Sequence, residues 1–346
     1  MADQTVASPA VPAPRLKATH RPLWRDATTV QLGLLPEHAT VLGDMSVPTA
    51  RLLAALDRGR RAEPTGPADE ALLHALGLAQ ALELPPVDLA ARLVPERTLL
   101  SLVHPAPGAA DAALAARRAT RVLVLGGGRV GAAVAHVLAA SGIGRVGVED
   151  RTPVDAADAC PGGVSVADVG LRRGAAATAV AVRASPPVLD DGPPDVLVVC
   201  PDGAAPPDAA RWWPALQRGT ALLVATVREG TGIVGPLTLP YGQCCPGCLS
   251  RHRADRDPAW PLMERQLADP DRAPAAAAAA TTVLAVAATA AEQLLSWIDV
   301  RGTREAVVPA SVGATLELPR PGWRWQRRPW GPHPECHCST LTASAS

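Results

Sequence analysis

Residues 121–131 read Arg-Val-Leu-Val-Leu-Gly-Gly-Gly-Arg-Val-Gly, and Ala132–Ala140 continues as an alanine- and valine-rich segment. An apolar run that breaks on glycines and resumes with helix formers predicts a buried strand, a tight turn and a helix. Gly142-Ile143-Gly144 ends that helix, Arg145–Glu149 makes the next strand, and Asp150 closes it. The spacing gives each turn glycine a task. Gly126 permits the tight turn, Gly128 lets backbone N–H groups approach a phosphate, and Gly131 lets helix and strand pack closely. Asp150, 19 residues after Gly131, is placed to bind ribose hydroxyls.

Further along, Asp195–Cys200 and Ala221–Thr226 are two more apolar strands. Strands alternating with helices predict an α/β fold, a Rossmann-like, mainly parallel sheet with helices on both faces. The chain before it reads differently. Thr28–Leu34 and Ala39–Leu42 form a strand hairpin, Val47-Pro48-Thr49 starts a helix ended by Gly59, and Ala68–Leu84 is a second helix broken by Pro85-Pro86. A short helix over Val87–Leu93 follows. This is a small winged-helix-like α+β unit. The expected organisation is a flexible tail over 1–18, the winged-helix-like domain over 19–104, a linker over 105–117, and the nucleotide-fold domain over 118–346.

Composition narrows the function. The chain has 346 residues, 48% hydrophobic, with 33 basic and 33 acidic side chains and a net charge of zero. Binding to nucleic acid by counterion release needs a basic surface, which is lacking. With no Phe, one Tyr and 8 Trp, the composition also speaks against aromatic stacking on single strands. Lys17 is the sole lysine and falls in the polar tail, which excludes buried-lysine chemistry from the body of the protein. The uncharged run Ala275–Ala291 is alanine with threonine, a core helix and no membrane span. Residues 1–18 lack an apolar export core, so a cytoplasmic protein is expected, and a homodimer.

In a reducing compartment clustered cysteines bind metal more often than they form disulfides. Cys245-Pro246-Gly247-Cys248 and Cys336-His337-Cys338 supply four thiolates, the donor set of a closed tetrahedral zinc site that ties the chain end to the domain. His333, His337 and Cys244 are rival ligands. Free thiols or a redox pair are the alternatives; a redox Cys-x-x-Cys opens a helix after a strand, whereas this one follows a turn at Tyr241-Gly242. Cys200 ends a buried strand and reads as inert, and Cys160 has no basic neighbour to activate it. The run Arg251–Asp257 reads as a solvated, ion-paired helix face, and Trp323, Trp325 and Trp330 as aromatics stacked with arginines beside the zinc.

The order of these motifs resembles the ThiF/MoeB adenylyltransferase superfamily, which includes the ubiquitin-activating enzymes. The resemblance covers about residues 118–338 and rests on Gly126–Gly131, Gly142/Gly144, Asp150, Asp168-Val169-Gly170 with Arg173, Cys200-Pro201-Asp202 and the cysteine pairs. It implies a nucleotide site made by Gly126, Gly128, Gly131, Asp150, Arg173 and Asp202, with Asp202 facing the metal, and zinc on Cys245, Cys248, Cys336 and Cys338. Adenylating members carry Asn-x-x-Arg-Gln after the first Asp. Here Pro161 and Gly162 stand at the Arg and Gln positions, and Arg173 stands at the lysine position. Arginine does not replace lysine freely at a point-charge phosphate site. These departures predict weak or absent adenylation and doubtful use of ATP and Mg.

The N-terminal unit resembles the leader-peptide recognition element of ribosomal-peptide pathways, in which a wing strand and its neighbouring helix hold an extended peptide by strand addition. Fusions of that element to degenerate ThiF-like domains serve YcaO-type cyclodehydratases. The resemblance therefore implies a non-adenylating scaffold that binds a precursor peptide and presents it to a YcaO-type partner enzyme. The alternative is an active ATP-dependent adenylyltransferase that activates the C-terminal carboxylate of a small carrier protein or peptide.

Overall fold

The computed structural model describes residues 14–86, 88–240, 244–269, 277–301, 303 and 307–338. Residues 1–13 of the expected tail, Val87, the turn residues Tyr241-Gly242 and Ala275–Ala276 lie outside them. The chain divides into two compact units, Met1–Leu114 and Ala115–Ser346.

In the first unit, β1 (Arg15–Leu16) is followed by β2 (Pro22–Trp24), β3 (Val30–Leu32) and β4 (Thr40–Leu42), then by α1 (Val47–Asp57), α2 (Pro67–Leu78), β5 (Leu82–Glu83) and α3 (Val94–Val103). Strands β2, β3 and β4 make an antiparallel sheet in that order, and β1 pairs with β5. Val30 and Leu32 point inward onto Leu52, Leu53, Leu56, Leu72 and Leu76, so the period-2 strand and the helical stripes share one core.

Four segments differ from the sequence reading. The end of the expected tail is structured: Lys17 N–H bonds Ala81 O at 2.9 Å, and the side chain is buried with Nζ donating to Ser101 O. A single charge in a polar stretch conceals this; the ammonium meets a carbonyl in the last turn of α3, where a cation is favoured. Second, α2 stops at Leu78 and not at Leu84. Gln80 takes φ +50°, and Ala81 N–H closes back on Leu76 O, turning the chain into β5. Third, the expected linker contains α4 (Ala109–Arg118), which runs across the boundary of the units with Asp111 in its first turn and Arg117 and Arg118 in its last. The short helix expected at 87–93 is a single turn at Ala91–Leu93 leading into α3, whose Pro95 sits in the first turn where no N–H is needed.

The second unit runs β6 (Arg121–Leu125), α5 (Arg129–Ala140), β7 (Arg145–Glu149), α6 (Arg173–Ala184), β8 (Val196–Val199), α7 (Ala209–Gln217), β9 (Ala221–Arg228), β10 (Thr231–Thr238), α8 (Pro246–Arg256), α9 (Trp260–Leu267), α10 (Ala280–Ile298), β11 (Ala314–Leu318) and β12 (Gln326–Pro329). The sheet order is β12-β11-β10-β9-β8-β6-β7. Strands β7, β6, β8 and β9 are parallel, the expected α/β core, and β10 to β12 extend it antiparallel. Order 9-8-6-7 puts a topological switch beside β6, and ligands bind outside the carboxyl ends of strands at such a point.

Helix α10 is, among the described residues, the one long and apolar enough to cross a membrane. Val283, Val286, Ala287, Ala290, Leu294 and Ile298 are fully buried in the core of this unit, as expected of a core helix. Arg117 and Asp299 fasten its C-terminal end through two bonds of 2.6 and 2.7 Å, both side chains buried.

Candidate functional site

The site begins at the turn between β6 and α5. Gly126 has φ +106°, a conformation that a side chain would strain, and a Cβ at Gly131 would collide with the Gly126 carbonyl. Asp150 braces this turn: Oδ2 accepts Gly127 N–H at 2.8 Å and Oδ1 accepts Thr152 N–H at 2.9 Å. The expected ribose carboxylate therefore already holds two backbone donors. It lines a polar cavity of about 660 Å³ together with Glu149, Arg151, Arg172 and Arg211.

Arg173 starts α6, whose first turn is tied to the same loop by Arg173 N–H to Thr152 O and Gly174 N–H to Asp150 O. Its guanidinium makes a two-pronged pair with Asp158, 2.7 Å on each prong, and reaches Asp202 Oδ2 at 2.6 Å. Burial works against the Arg173 charge, but the two carboxylates outweigh it and its pKa is raised. Asp158 is buried and itself held by the reciprocal cap with Asp155. Asp202 sits on a turn fastened by Thr226 Oγ1, which donates toward Pro201 O and Gly203 O at 3.0 and 3.2 Å. Desolvation raises the Asp202 carboxyl above the ordinary range, and Arg173 opposes this only in part.

These groups line a second cavity of about 390 Å³, which also takes in Arg129, Gly131, Cys200 and Gly203. The sequence expectations Gly131, Arg173 and Asp202 thus meet at one place, with Gly128 next to Asp202. Arg129, Asp158 and Thr226 were not singled out for roles; the only sequence signal was that Arg129 interrupts the glycine turn. Burial pushes the Cys200 thiol far up and the Cys160 thiol up, and neither is an activated nucleophile.

The four expected cysteines converge, all buried, with Sγ–Sγ separations of 3.9 Å (Cys245–Cys248), 3.6 Å (Cys245–Cys336) and 3.3 Å (Cys248–Cys338). Tetrahedral zinc with Zn–S of about 2.3 Å places sulfurs about 3.8 Å apart, so the donor set fits the metal. Cys245 caps the N-terminus of α8, so this Cys-x-x-Cys does open a helix. The helix start therefore does not separate metal from redox chemistry; the convergence of two distant pairs does. His333 is no rival ligand. Its Nδ1 accepts Glu335 N–H, and Nε2 lies 2.9 Å from Asp255 Oδ2. The expected solvated face of α8 is instead half covered. Arg253 stacks on Trp260, Arg256 stacks on Trp330, and Trp330 is buried with Nε1 donating to Thr315 Oγ1.

The first unit carries its own groove. Ala18–Arg21, Leu23, Leu34, Leu35, His38 and Leu102 line an apolar cavity of about 390 Å³. Leu34 and Leu35 are 78% and 57% exposed, large apolar surface on the turn between β3 and β4.

The ThiF family profile matches residues 106–339. The chain belongs to the ThiF family. No curated protein matches this ThiF-family chain by sequence. Solved structures match its fold over nearly the whole length. E. coli MccB with ATP aligns at 16% identity and TM-score 0.63, covering 94% of this chain and 99% of that one. The microcin C7 biosynthetic enzyme MccB in complex with N-formylated MccA aligns at 14% identity and TM-score 0.65, with the same coverage. PaaA aligns at 15% identity and TM-score 0.59, covering 90% and 99%.

These neighbours correct the functional expectation. This chain, a ThiF fold preceded by a small N-terminal unit, aligns over 99% of MccB, a biosynthetic enzyme with structures holding ATP and MccA. The layout is thus no mark of a degenerate, non-adenylating scaffold, and the precursor-presenting role beside a YcaO-type cyclodehydratase is overturned with it. So is the YcaO-type partner, and so is the expectation that ATP and Mg use is doubtful. Pro161 and Gly162 remove charge from one loop, but Arg129 and Arg173, from other elements, line the cavity.

Proposed function

We propose that this ThiF-family chain is an ATP-dependent adenylyltransferase that activates a carboxylate, in the first instance the C-terminal one, of a peptide of the MccA kind. The observation that carries the reading is the cavity where Gly131, Arg173 and Asp202 meet at the carboxyl end of the parallel sheet. The supporting neighbour, MccB, has structures with ATP and with MccA. A carboxylate oxygen of the peptide attacks the α-phosphorus, the bond to the leaving pyrophosphate breaks, and an acyl adenylate forms with no change of oxidation state. Catalysis of this kind rests on positioning and charge stabilisation more than on covalent groups. Asp202 is the residue that would hold magnesium, Asp150 the one nearest the ribose end, and the turn glycines leave room for phosphates.

The four-cysteine cluster would hold structural zinc, with no part in the reaction. Peptide capture is assigned to the first unit. Strand β2 is an edge of its sheet among the described strands, and an extended peptide added beside it would lay its apolar side chains on Leu23, Leu34 and Leu35. A cytoplasmic site of action fits the ATP requirement. The test is incubation of the full chain with MgATP and the precursor peptide encoded nearby, followed by mass spectrometry. Peptide carrying AMP, or AMP and pyrophosphate released in step, is the expected outcome. Unmodified peptide with intact ATP would refute the reading.

A further inference from the structure

The nucleotide cavity is lined by two guanidinium groups whose charges are in different states. Arg173 commits Nε, Nη1 and Nη2 to Asp158 and Asp202. Arg129 makes no ion pair among the described residues. Its Nη1 donates to the carbonyls of Ala157 and Ala159, 2.7 Å each, and its buried Nε has no hydrogen-bond partner among the described residues. Carbonyl contacts aim the side chain without neutralising it. A buried unpaired donor is costly, and native folds keep one where something else satisfies it.

Position supports the same conclusion. Arg129 is the first residue of α5, next to Gly128, at the helix end that favours anions. The carbonyls that anchor it belong to the loop just ahead of Pro161, the position to which the resemblance to adenylating ThiF/MoeB proteins assigns an arginine. The cation missing from that loop is delivered to it from the glycine turn.

We propose that Arg129 is the residue that takes the phosphate charge of the nucleotide in this chain, in place of the arginine absent at Pro161. Arg173 then acts as the counter-ion that positions Asp158 and Asp202. This assignment rests on the ATP reading above. The experiment is calorimetric titration of MgATP and of adenosine into full-length wild type, Arg129→Gln and Arg129→Lys, with a thermal melt of each. Loss of one charge-assisted hydrogen bond corresponds to about tenfold or more in affinity. Arg129→Gln is expected to lose that much for MgATP, with adenosine affinity and melting temperature kept, and Arg129→Lys to recover part of it. Undiminished MgATP binding by Arg129→Gln overturns the assignment. So does an equal loss for adenosine, or a lysine variant as weak as the glutamine one. Wild type that binds no MgATP would overturn the adenylation reading itself, and the assignment with it.

Discussion

Arg173 Nη1 and Asp202 Oδ2 lie 2.6 Å apart on the wall of the proposed nucleotide cavity, joining the start of α6 to the turn after β8. The pair sets the charge of a carboxylate that has one other task in the proposed reaction, holding magnesium.

Asp202→Asn should keep the shape of that turn and remove the charge. MgATP affinity should fall at least about tenfold, the scale of a lost charge-assisted contact. Binding of adenosine should persist. Titration calorimetry checks both, and an affinity in Asp202→Asn equal to wild type would remove Asp202 from the site.

Cys248→Ser breaks the donor set that joins α8 to the C-terminal segment. Zinc measured by elemental analysis should drop from about one per chain toward none, and the melting temperature should fall, since structural zinc contributes folding free energy directly. Wild-type protein with no zinc and four freely titrating thiols would contradict the metal reading.

Lys17 gives a pH signature. Burial lowers its pKa below 10.5, and attraction to Glu83 offsets this only in part. The unfolded chain then binds more protons than the folded one between the lowered value and 10.5, so Lys17 makes stability rise with pH across that window. Urea unfolding of Lys17→Met should lack this rise relative to wild type. Parallel pH profiles for the two proteins would show that the ammonium is not held in a desolvated site.

Leu35→Glu places a charge in the apolar groove of the first unit at a residue already 57% exposed, so folding should be spared. Each leucine of a peptide buried there contributes about 1.5–3 kcal/mol. Fluorescence polarisation with labelled precursor peptide should show a loss of about tenfold or more. Unchanged binding would move peptide recognition away from this groove.

How far the sequence could be read follows from where its signals are local. The β6–α5–β7 unit was legible because glycines punctuate it and Asp150 closes it. The cysteine cluster was legible because two spaced pairs admit few structures. Helices α3 and α4 were not, because residues 94–103 carry no strong periodic signal and the alanine-, proline- and glycine-rich stretch holding α4 reads as a linker. The burial of Lys17 was hidden because it depends on a carbonyl 84 residues away. Arg129 was in plain view at the turn, but its role depends on Ala157 and Ala159, brought to it only by folding. A motif position lost in one loop says little until the charges contributed by other elements are placed.

The most direct test is ATP–pyrophosphate exchange by the full-length chain with its precursor peptide. Exchange that requires the peptide, proceeds at about 1 per second or faster, and disappears in Asp202→Ala is the result the account predicts. No exchange in the wild type at saturating MgATP and peptide would contradict it.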